Sequence, residues 1–426
     1  MIDLKLLRTS PEEVASSLKK KGYDLNLPSW SLLESKRKVV QAKTEGLQAE
    51  LNSISKEIGI SKSKNLETSD LEEKATSITS IIKLQSKELD VLMASINKMA
   101  LDIPNLPDDD VPVGSSEEDN VEVRSWGQKT EFTYDPLDHL VLGEIHNGID
   151  MESGAKITGS RFPVLKSDFA RLQRSLIHFM LDIHTKENGY EEVYVPYIVN
   201  NVSLQGTGQL PKFEEDLFKL DSDQSHYLTP TAEVPVTNLF RNEILESTKL
   251  PIKYVCHTPC FRSEAGSYGK DTKGLMRLHQ FEKVELVQAV EESDSENALE
   301  DLTGHAESIL QKLELPYRVV SLCTGDLGFG SAKTYDLEVW VPSQDKFREI
   351  SSCTNYRAFQ ARRMKARWKN PSTGKLELIN TINGSGLALS RTLLALIENF
   401  QQSDKSIAIP DALRSHFGQD SIKIQN

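Results

Sequence analysis

The chain has 426 residues, a length that suits two or three domains, and its net charge is −13. With 38% hydrophobic and 27% charged residues it is typical of a globular protein, and the acidic balance argues against nucleic-acid binding over most of its surface. Residues 1–101 carry 16 Lys and Arg against 14 Asp and Glu, a balance of +2, so the remainder carries −15. If a polyanion binds, the N-terminal quarter is therefore the less repulsive place.

The cysteines and the N-terminal segment indicate the cellular compartment of the protein. Its four cysteines, Cys256, Cys260, Cys323 and Cys353, do not form a disulfide framework, and there is no Cys-x-x-Cys pair or Cys/His cluster that would predict a zinc site. The N-terminal segment has Asp3 before a short apolar run, unlike a secretory or transit peptide, and no apolar run reaches membrane-spanning length. These features predict a cytoplasmic protein with reduced thiols, no zinc and no membrane partner.

Residues 31–101 contain apolar side chains at heptad spacing, in two runs separated by the polar segment 59–70. The first run is Leu33, Val40, Leu47, Leu51, Ile54 and Ile58. The second is Leu71, Ala75, Ile78, Ile82, Leu89, Leu92, Ile96 and Met99, with one polar break at Gln85. This pattern predicts an antiparallel pair of helices of about 30 residues each, roughly 45 Å long, with the second helix capped at Ser69 or Asp70. A bundle or a dimerisation helix is the alternative.

The segment 102–120 is rich in Pro, Asp and Ser and predicts a linker, which gives domains over 1–110 and 111–426. After it, we expect a helix over 166–187 that stops before Gly189, a strand over 193–199 that includes Pro196, and a loop over 207–218. Further strands are predicted at 253–257, 280–288, 317–322, 335–341 and 346–352, with helices at 292–313 and 383–400. The strands occur mostly as hairpins, which predicts an α+β fold built on an antiparallel sheet.

One predicted hairpin, residues 261–286 (FRSEAGSYGKDTKGLMRLHQFEKVEL), carries arginine, phenylalanine and glutamate side chains on one face. The formation of a hairpin does not by itself require these residue types. Period-two alternation puts Arg277, Phe281 and Glu285 on one face, together with His279 and Lys283. Arg262 can hold a phosphate with two parallel hydrogen bonds, and Phe281 can stack on a base. Arg391 follows Gly384-Ser385-Gly386 at a predicted helix start, where anions are favoured. Each arginine alone is more often a surface ion pair, so the argument rests on the combination.

The hairpin and the Gly-Ser-Gly segment resemble motifs 2 and 3 of the class II aminoacyl-tRNA synthetases, and the helix before Gly189 with its following strand resembles motif 1. The closest similarity is to the seryl-tRNA synthetases. It rests on Thr-Gly-Gln-Leu-Pro-Lys (207–212), Thr-Ala-Glu (231–233), Glu-Ile-Ser-Ser-Cys (349–353), Phe-Gln-Ala-Arg-Arg (359–363) and Asn-Gly-Ser-Gly-Leu-Ala (383–388). It covers nearly the whole chain, including the helical hairpin, and implies a class II catalytic domain behind a tRNA-binding coiled-coil arm. The segment 354–358 departs from the family pattern but carries none of the implied contacts.

The resemblance implies ATP-dependent activation of L-serine, with Arg262 and Arg391 as catalytic residues. The implied serine-binding residues are Thr231, Ala232, Glu233, Glu285 and Ser385. The implied ATP-binding residues are Arg262, Ser263, Glu264, Arg277, Leu278, Phe281, Glu349, Ile350, Ser351, Ser352 and Arg391. Glu349 and Ser352 match positions that carry Mg²⁺ beside the phosphates, and their oxygen ligands suit that ion.

The implied partners are serine tRNA, selenocysteine tRNA and a second copy of the chain, with tRNA bound across the homodimer. The arm would contact tRNA through basic residues, namely Lys19, Lys20, Lys21, Lys36, Arg37, Lys38, Lys43, Lys62 and Lys64. Two alternatives stay open at this point. One is a synthetase-like paralogue that activates an amino acid without charging tRNA, and the other is a structural coiled-coil protein with a degenerate body.

Overall fold

A computed structural model describes residues 1–265 and 274–424. It divides into two compact units. The helical unit comprises Ile2–Lys19 and Tyr23–Ile103, and the larger unit, called the body here, comprises Met1, Lys20–Gly22 and Pro104–Asn426. Within the described ranges, no helix is both long and apolar enough to cross a membrane.

The helical unit has short helices α1 (Leu4–Thr9) and α2 (Pro11–Lys20), followed by the long helices α3 (Leu27–Ser63) and α4 (Ser69–Leu101). The heptad positions form the seam, with Val40, Ile54, Ile78 and Ile96 buried. Ion pairs between Lys62 and Glu72 (2.8 Å) and between Lys74 and Glu50 (2.9 Å) are possible only if the two helices run antiparallel. The predicted helical hairpin is therefore confirmed.

The ends of the long helices differ from the prediction. Helix α3 begins at Leu27, because the Asn26 side chain accepts the Ser29 N–H at 3.0 Å and caps the helix. It also continues to Ser63, since Gly59 alone costs only about 1 kcal/mol inside a helix and does not end it. Helix α4 is capped at Thr68, one or two residues before the expected cap at Ser69 or Asp70.

The body contains the remaining helices and all the strands in the described ranges. Its helices are α5 (His139–Ile145), α6 (Met151–Ile157), α7 (Ser167–Lys186), α8 (Asn201–Thr207), α9 (Glu233–Thr237), α10 (Ser295–Lys312), α11 (Phe359–Met364), α12 (Leu389–Asn399) and α13 (Asp411–Phe417). Its strands are β1 (Val121–Trp126), β2 (Ile149–Asp150), β3 (Val164–Leu165), β4 (Glu191–Glu192), β5 (Ile198–Asn200), β6 (His226–Leu228), β7 (Ile244–Leu245), β8 (Ile252–Phe261), β9 (Gln280–Val290), β10 (Tyr317–Ser321), β11 (Lys333–Val341), β12 (Lys346–Asn355), β13 (Arg367–Lys369), β14 (Leu376–Leu378), β15 (Asn380–Ala388), β16 (Ile407–Ala408) and β17 (Ser421–Ile422).

The centre of the body is an eight-stranded sheet in the order β1-β10-β11-β12-β15-β9-β8-β4. All neighbours are antiparallel except β4 and β8. On β9, Val284 and Leu286 join a core formed with α7, α10 and α12, whereas Val287 and Ala289 join a second core with α9 and α11. Both faces of the central strands are thus covered, and the predicted α+β class is confirmed.

Two predicted elements are wrong. Of the strand expected over 193–199, only the last two residues form a strand, as the start of β5, whereas β4 ends before the predicted range; Pro196, which has no N–H to donate, lies between the two strands. The helix expected over 383–400 begins only at Leu389, since residues 380–388 form β15 between β9 and β12. Glycine is required at Gly384 for packing in the sheet, because an added Cβ would lie 2.7 Å from Leu302 Cδ2 and 2.8 Å from Cys353 Sγ.

Candidate active site

The candidate site is a pocket on one face of three neighbouring strands, β9, β15 and β12, and Arg262 reaches it from the residue directly after β8. Strand β9 contributes Phe281 and Glu285 from alternate positions, so both side chains point to the same face. Ser385 on β15 lies directly opposite Glu285 in the register. Helix α12 begins immediately after β15 and brings Arg391 to the pocket wall within its first turn.

At one end of the pocket, backbone carbonyls hold two guanidinium groups. Arg262 donates from Nε to the Pro230 carbonyl at 3.2 Å, and its guanidinium carbon lies 5.2 Å from the centre of the Phe281 ring. Arg391 donates from Nε to the Met276 carbonyl at 3.2 Å and from Nη1 to the Glu349 carbonyl at 2.6 Å. The carbonyls orient each guanidinium group without adding a negative charge, although Arg391 also forms an ion pair with Glu349.

Two carboxylates accompany these cations. Arg391 Nη1 lies 3.3 Å from Glu349 Oε1, and the positive charge of Arg391 lowers the pKa of Glu349, whose side chain is half exposed. Arg277 Nη1 lies 2.6 Å from Glu264 Oε2. Ser352 lies on the same wall as Glu349. An ionised carboxylate therefore lies beside Arg391, and the wall of the same pocket includes a serine.

The other end of the pocket is a buried cluster of opposite charges. Glu285 and Lys283 form an ion pair, and Thr231 joins it by donating from Oγ1 to Glu285 Oε2 at 2.7 Å while accepting from Lys283 Nζ at 2.8 Å. These three side chains and Glu233 are all buried. Two carboxylates and one ammonium give this end a charge of −1 when all are ionised, which suits one small cation.

Glu233 is held by a chain of side-chain hydrogen bonds. Gln360 donates from Nε2 to Glu233 Oε1 at 2.7 Å, and Thr381 fixes the amide by donating to Gln360 Oε1 at 2.7 Å. Burial, together with the negative charge of Glu285, raises the pKa of Glu233. Burial also raises the pKa of Tyr356, which lines the pocket next to Asn383. The neutral phenol and the amide leave the charge of this end unchanged.

Most sequence-predicted site residues lie on the pocket wall. They are Glu233, Arg262, Glu264, Arg277, Leu278, Phe281, Glu285, Glu349, Ile350, Ser352, Ser385 and Arg391. Thr231 lies one contact behind the wall, bonded to Glu285.

Three predicted residues do not bring their side chains into the pocket. Ala232 is fully buried in the second core. Ser263 donates its hydroxyl to the Glu215 carbonyl at 2.5 Å, and Ser351 donates its hydroxyl to the Ser385 carbonyl at 2.6 Å. Contacts from these positions to a ligand would have to come from the backbone.

The sequence interpretation missed several wall residues, among them Lys283, Thr354, Tyr356 and Asn383. The alternation along β9 did put Lys283 on the same face as Phe281 and Glu285, but a lysine there had no assigned role. Asn383 belongs to the motif 383–388 but had no assigned role, and Tyr356 had no local signal, because it joins the pocket only where the end of β12 meets β15. Gly266 and Gly269 of the predicted hairpin loop lie outside the described residues.

Comparisons with known proteins agree with this geometry. Residues 217–400 match the tRNA synthetase class II core domain (G, H, P, S and T), and residues 1–107 match the seryl-tRNA synthetase N-terminal domain. The chain is 56% identical to the serine–tRNA ligase of Hahella chejuensis, with 98% of each chain covered. It is 58% identical to that of Francisella philomiragia, covering 99% of this chain and 100% of the relative.

Solved structures give the same result. The chain is similar to seryl-tRNA synthetase from Pyrococcus horikoshii, solved with ATP, at a TM-score of 0.92 and 36% identity, with 100% of both chains covered. The same similarity includes both the helical unit and the body, so it is not confined to a shared catalytic core. The chain belongs to the seryl-tRNA synthetase family.

Proposed function

We propose that this protein is a serine–tRNA ligase. It activates L-serine with ATP to give seryl-adenylate and pyrophosphate, and then transfers the seryl group to the 3′ end of tRNA. The observation that carries the proposal is the division of one pocket into two ends. Arg262, Arg391 and Phe281 make one end suitable for a nucleotide, and the buried Glu233, Glu285 and Lys283 make the other suitable for a small amino acid.

In the first step, the serine carboxylate attacks the α-phosphate. A carboxylate is already ionised near pH 7, so the attack needs no protein base, and catalysis rests on positioning and on neutralising charge. Arg262 binds the α-phosphate and Arg391 the γ-phosphate. Phe281 stacks on the adenine and Arg277 covers the nucleotide, with the Leu278 backbone beside the adenine edge. The carbonyls that hold Arg262 and Arg391 keep both guanidinium groups oriented before ATP arrives.

Magnesium fits the wall formed by Glu349 and Ser352. The lowered pKa of Glu349 keeps that carboxylate ionised, and a hydroxyl lies next to it. The described residues contain no group of three or more His, Cys, Asp or Glu that could hold a metal by themselves. This suits Mg²⁺, which takes one or two protein oxygens and completes its shell with phosphate oxygens and water. When bound, it would neutralise phosphate charge.

Serine recognition uses the charged end. Glu233, Glu285 and Lys283 together give this end a net charge of −1, which attracts the ammonium group of serine. Thr231 and Ser385 add hydroxyl groups close to Glu285. Alanine lacks the hydroxyl group that can bond to Ser385 and to the carboxylates of this end, and threonine would need space that the buried cluster does not leave.

The helical hairpin α3–α4 binds the long variable arm of serine tRNA and of selenocysteine tRNA, and the protein is a cytoplasmic homodimer in which tRNA contacts both subunits. The candidate contacts on the arm are exposed: Lys36, Lys38, Lys43 and Lys64. Arg37 is less suitable, because it is ion-paired with Glu34 and only 13% exposed. Lys21 is also unsuitable, since its ammonium donates to the carbonyls of Gly328 and Ser331 within the body.

The test of this proposal is ATP–pyrophosphate exchange with each amino acid in turn, followed by transfer of labelled serine to tRNA. Exchange dependent on serine alone supports the first step. Exchange without transfer would favour the paralogue that activates an amino acid and charges no tRNA. Absence of exchange with every amino acid would refute both.

A further inference from the structure

A fully buried carboxylate lies on the helix that carries Arg391. Glu398 is 0% exposed and follows Arg391 by seven positions in α12, about two turns, so both side chains lie on the same side of the helix. Neither Glu398 nor its partners line the pocket. A buried carboxylate is costly unless several donors satisfy it, so its surroundings require an explanation.

The donors come from two separate parts of the chain. Glu398 Oε1 accepts the backbone N–H of His139 at 3.1 Å and lies 2.7 Å from His139 Nδ1. Glu398 Oε2 accepts the backbone N–H of Ser343 at 3.1 Å. Glu398 therefore fixes the position of the buried His139 ring, which lies at the start of α5.

The other ring nitrogen of His139 contacts the segment that leads into the pocket. His139 Nε2 accepts the backbone N–H of Leu275 at 3.1 Å. Because a backbone N–H can only donate, Nε2 must be unprotonated, and the ring proton is on Nδ1, where it is donated to Glu398. The carboxylate thus selects the tautomer that can bind Leu275.

Helix α12 consequently holds the segment 274–278 at two points. Arg391 donates directly to the Met276 carbonyl, and Glu398 reaches Leu275 through His139. Gly274 permits the close approach, since its φ is +72° and an added Cβ would lie 2.0 Å from His139 Nε2. The next residues along the chain are Arg277 and Leu278, at the nucleotide end of the pocket.

We propose that His139 and Glu398 are positioning residues for ATP. They hold the backbone at Leu275 so that Arg277 and Leu278 meet the nucleotide in a fixed arrangement. The inference rests on the proposed function for the identity of the nucleotide. The serine end is held differently, through the strand pairing of β9 with β8 and β15 and through the cluster around Glu285. Loss of the His139 contact should therefore weaken ATP binding and leave serine binding intact.

Two substitutions of one residue separate the two contacts. His139→Asn keeps an amide near the position of Nδ1, facing Glu398, and loses the acceptor for Leu275. His139→Gln extends the amide to the position of Nε2 and loses the contact with Glu398. His139→Gln leaves the buried Glu398 carboxylate without one donor, and a hydrogen bond to a charged group is worth more than one between neutral groups. A purely structural role therefore predicts the larger loss of stability for His139→Gln, with no selective effect of either variant on ATP.

The measurements are the ATP dissociation constant by calorimetry, the KM values for ATP and serine in pyrophosphate exchange, and the melting temperature. We expect His139→Asn to weaken ATP binding about tenfold, the factor that one buried hydrogen bond is worth, with KM for serine changed less than twofold. His139→Gln should weaken ATP binding by a smaller factor than His139→Asn, because it keeps an acceptor for Leu275 and loses only the contact with Glu398 that orients this acceptor. Equal effects of the two variants on ATP, or a parallel rise in both KM values, would overturn the proposal.

If neither His139 variant folds, Gly274→Ala provides a second test of the contact between Leu275 and His139. It displaces Leu275 from Nε2 without altering Glu398, and it should also weaken ATP binding about tenfold. Unchanged ATP binding in this variant would refute the positioning role. Calorimetry needs neither serine nor tRNA, so a parent protein that binds ATP but shows no serine-dependent exchange would refute the proposed function alone.

Discussion

Glu233→Gln is the most informative single substitution, because it should damage function and improve stability at the same time. The change preserves the shape of a side chain that is 7% exposed and that accepts from Gln360 at 2.7 Å. It brings the charge of the Glu233, Glu285 and Lys283 cluster from −1 to 0. A hydrogen bond to a charged group is worth about 1.5–3 kcal/mol, so KM for serine should rise roughly 10- to 150-fold. KM for ATP should change little.

The effect on stability follows from the raised pKa of Glu233, whose causes are burial and then Glu285. Between the ordinary value of 4.5 and the raised value, the native parent binds more protons than the unfolded chain. The parent therefore loses stability as the pH rises through this window, whereas glutamine does not titrate. The variant should melt above the parent at pH 8, and the advantage should disappear below about pH 4.5.

Pyrophosphate exchange and thermal melting at the two pH values check both halves of this prediction. Glu282→Gln is the matched control, because Glu282 lies on the opposite face of β9 and pairs with His257. It should leave KM for serine at the parent value. An unchanged KM for serine in the Glu233 variant, or a melting temperature below the parent at pH 8, would refute the reasoning.

Arg262→Ala and Arg391→Ala should each slow exchange by two to three orders of magnitude, since one preorganised donor is worth about 3–4 kcal/mol, while circular dichroism stays unchanged; near-parental exchange would show that the phosphates bind elsewhere. Alanine should give far slower exchange than serine, and comparable rates would contradict the roles of Thr231, Glu285 and Ser385. Deletion of residues 31–101 should preserve exchange and abolish transfer to tRNA, and undiminished charging would mean that the hairpin is structural only. Mixing arm-deleted subunits with Arg262→Ala subunits should restore some charging, and inactive mixed dimers would exclude tRNA binding across the dimer.

The sequence was sufficient where one element determines its own pattern. Heptad spacing identified α3 and α4, because the seam between two helices repeats every seven residues whatever else the chain does. Alternation along β9 assigned Phe281, Lys283 and Glu285 to one face before any partner strand was known. Resemblance to known motifs then supplied the roles of the arginines, which spacing alone could not distinguish from surface ion pairs.

The sequence was insufficient where a neighbouring strand decided the outcome. Gly384 and Gly386 looked like a helix start, yet pairing with β9 and β12 makes them part of β15, and the helix begins at Leu389. Ser351 looked like a pocket residue, but its hydroxyl is bound to the Ser385 carbonyl of the neighbouring strand. In both cases the hydrogen bonds of a sheet, which join distant segments, overrode the local pattern.

The sequence by itself determined the two-helix arm, the antiparallel class of the body and most of the residues on the pocket wall. Only the tertiary structure decided the charge balance at the serine end, where Lys283, Glu285 and Thr231 form one cluster, and the link from Glu398 to His139 across 259 positions. The physical reason is that periodicity records which face of an element is buried. It contains no information on which side chain of another element will meet that face, and buried charges depend on that partner.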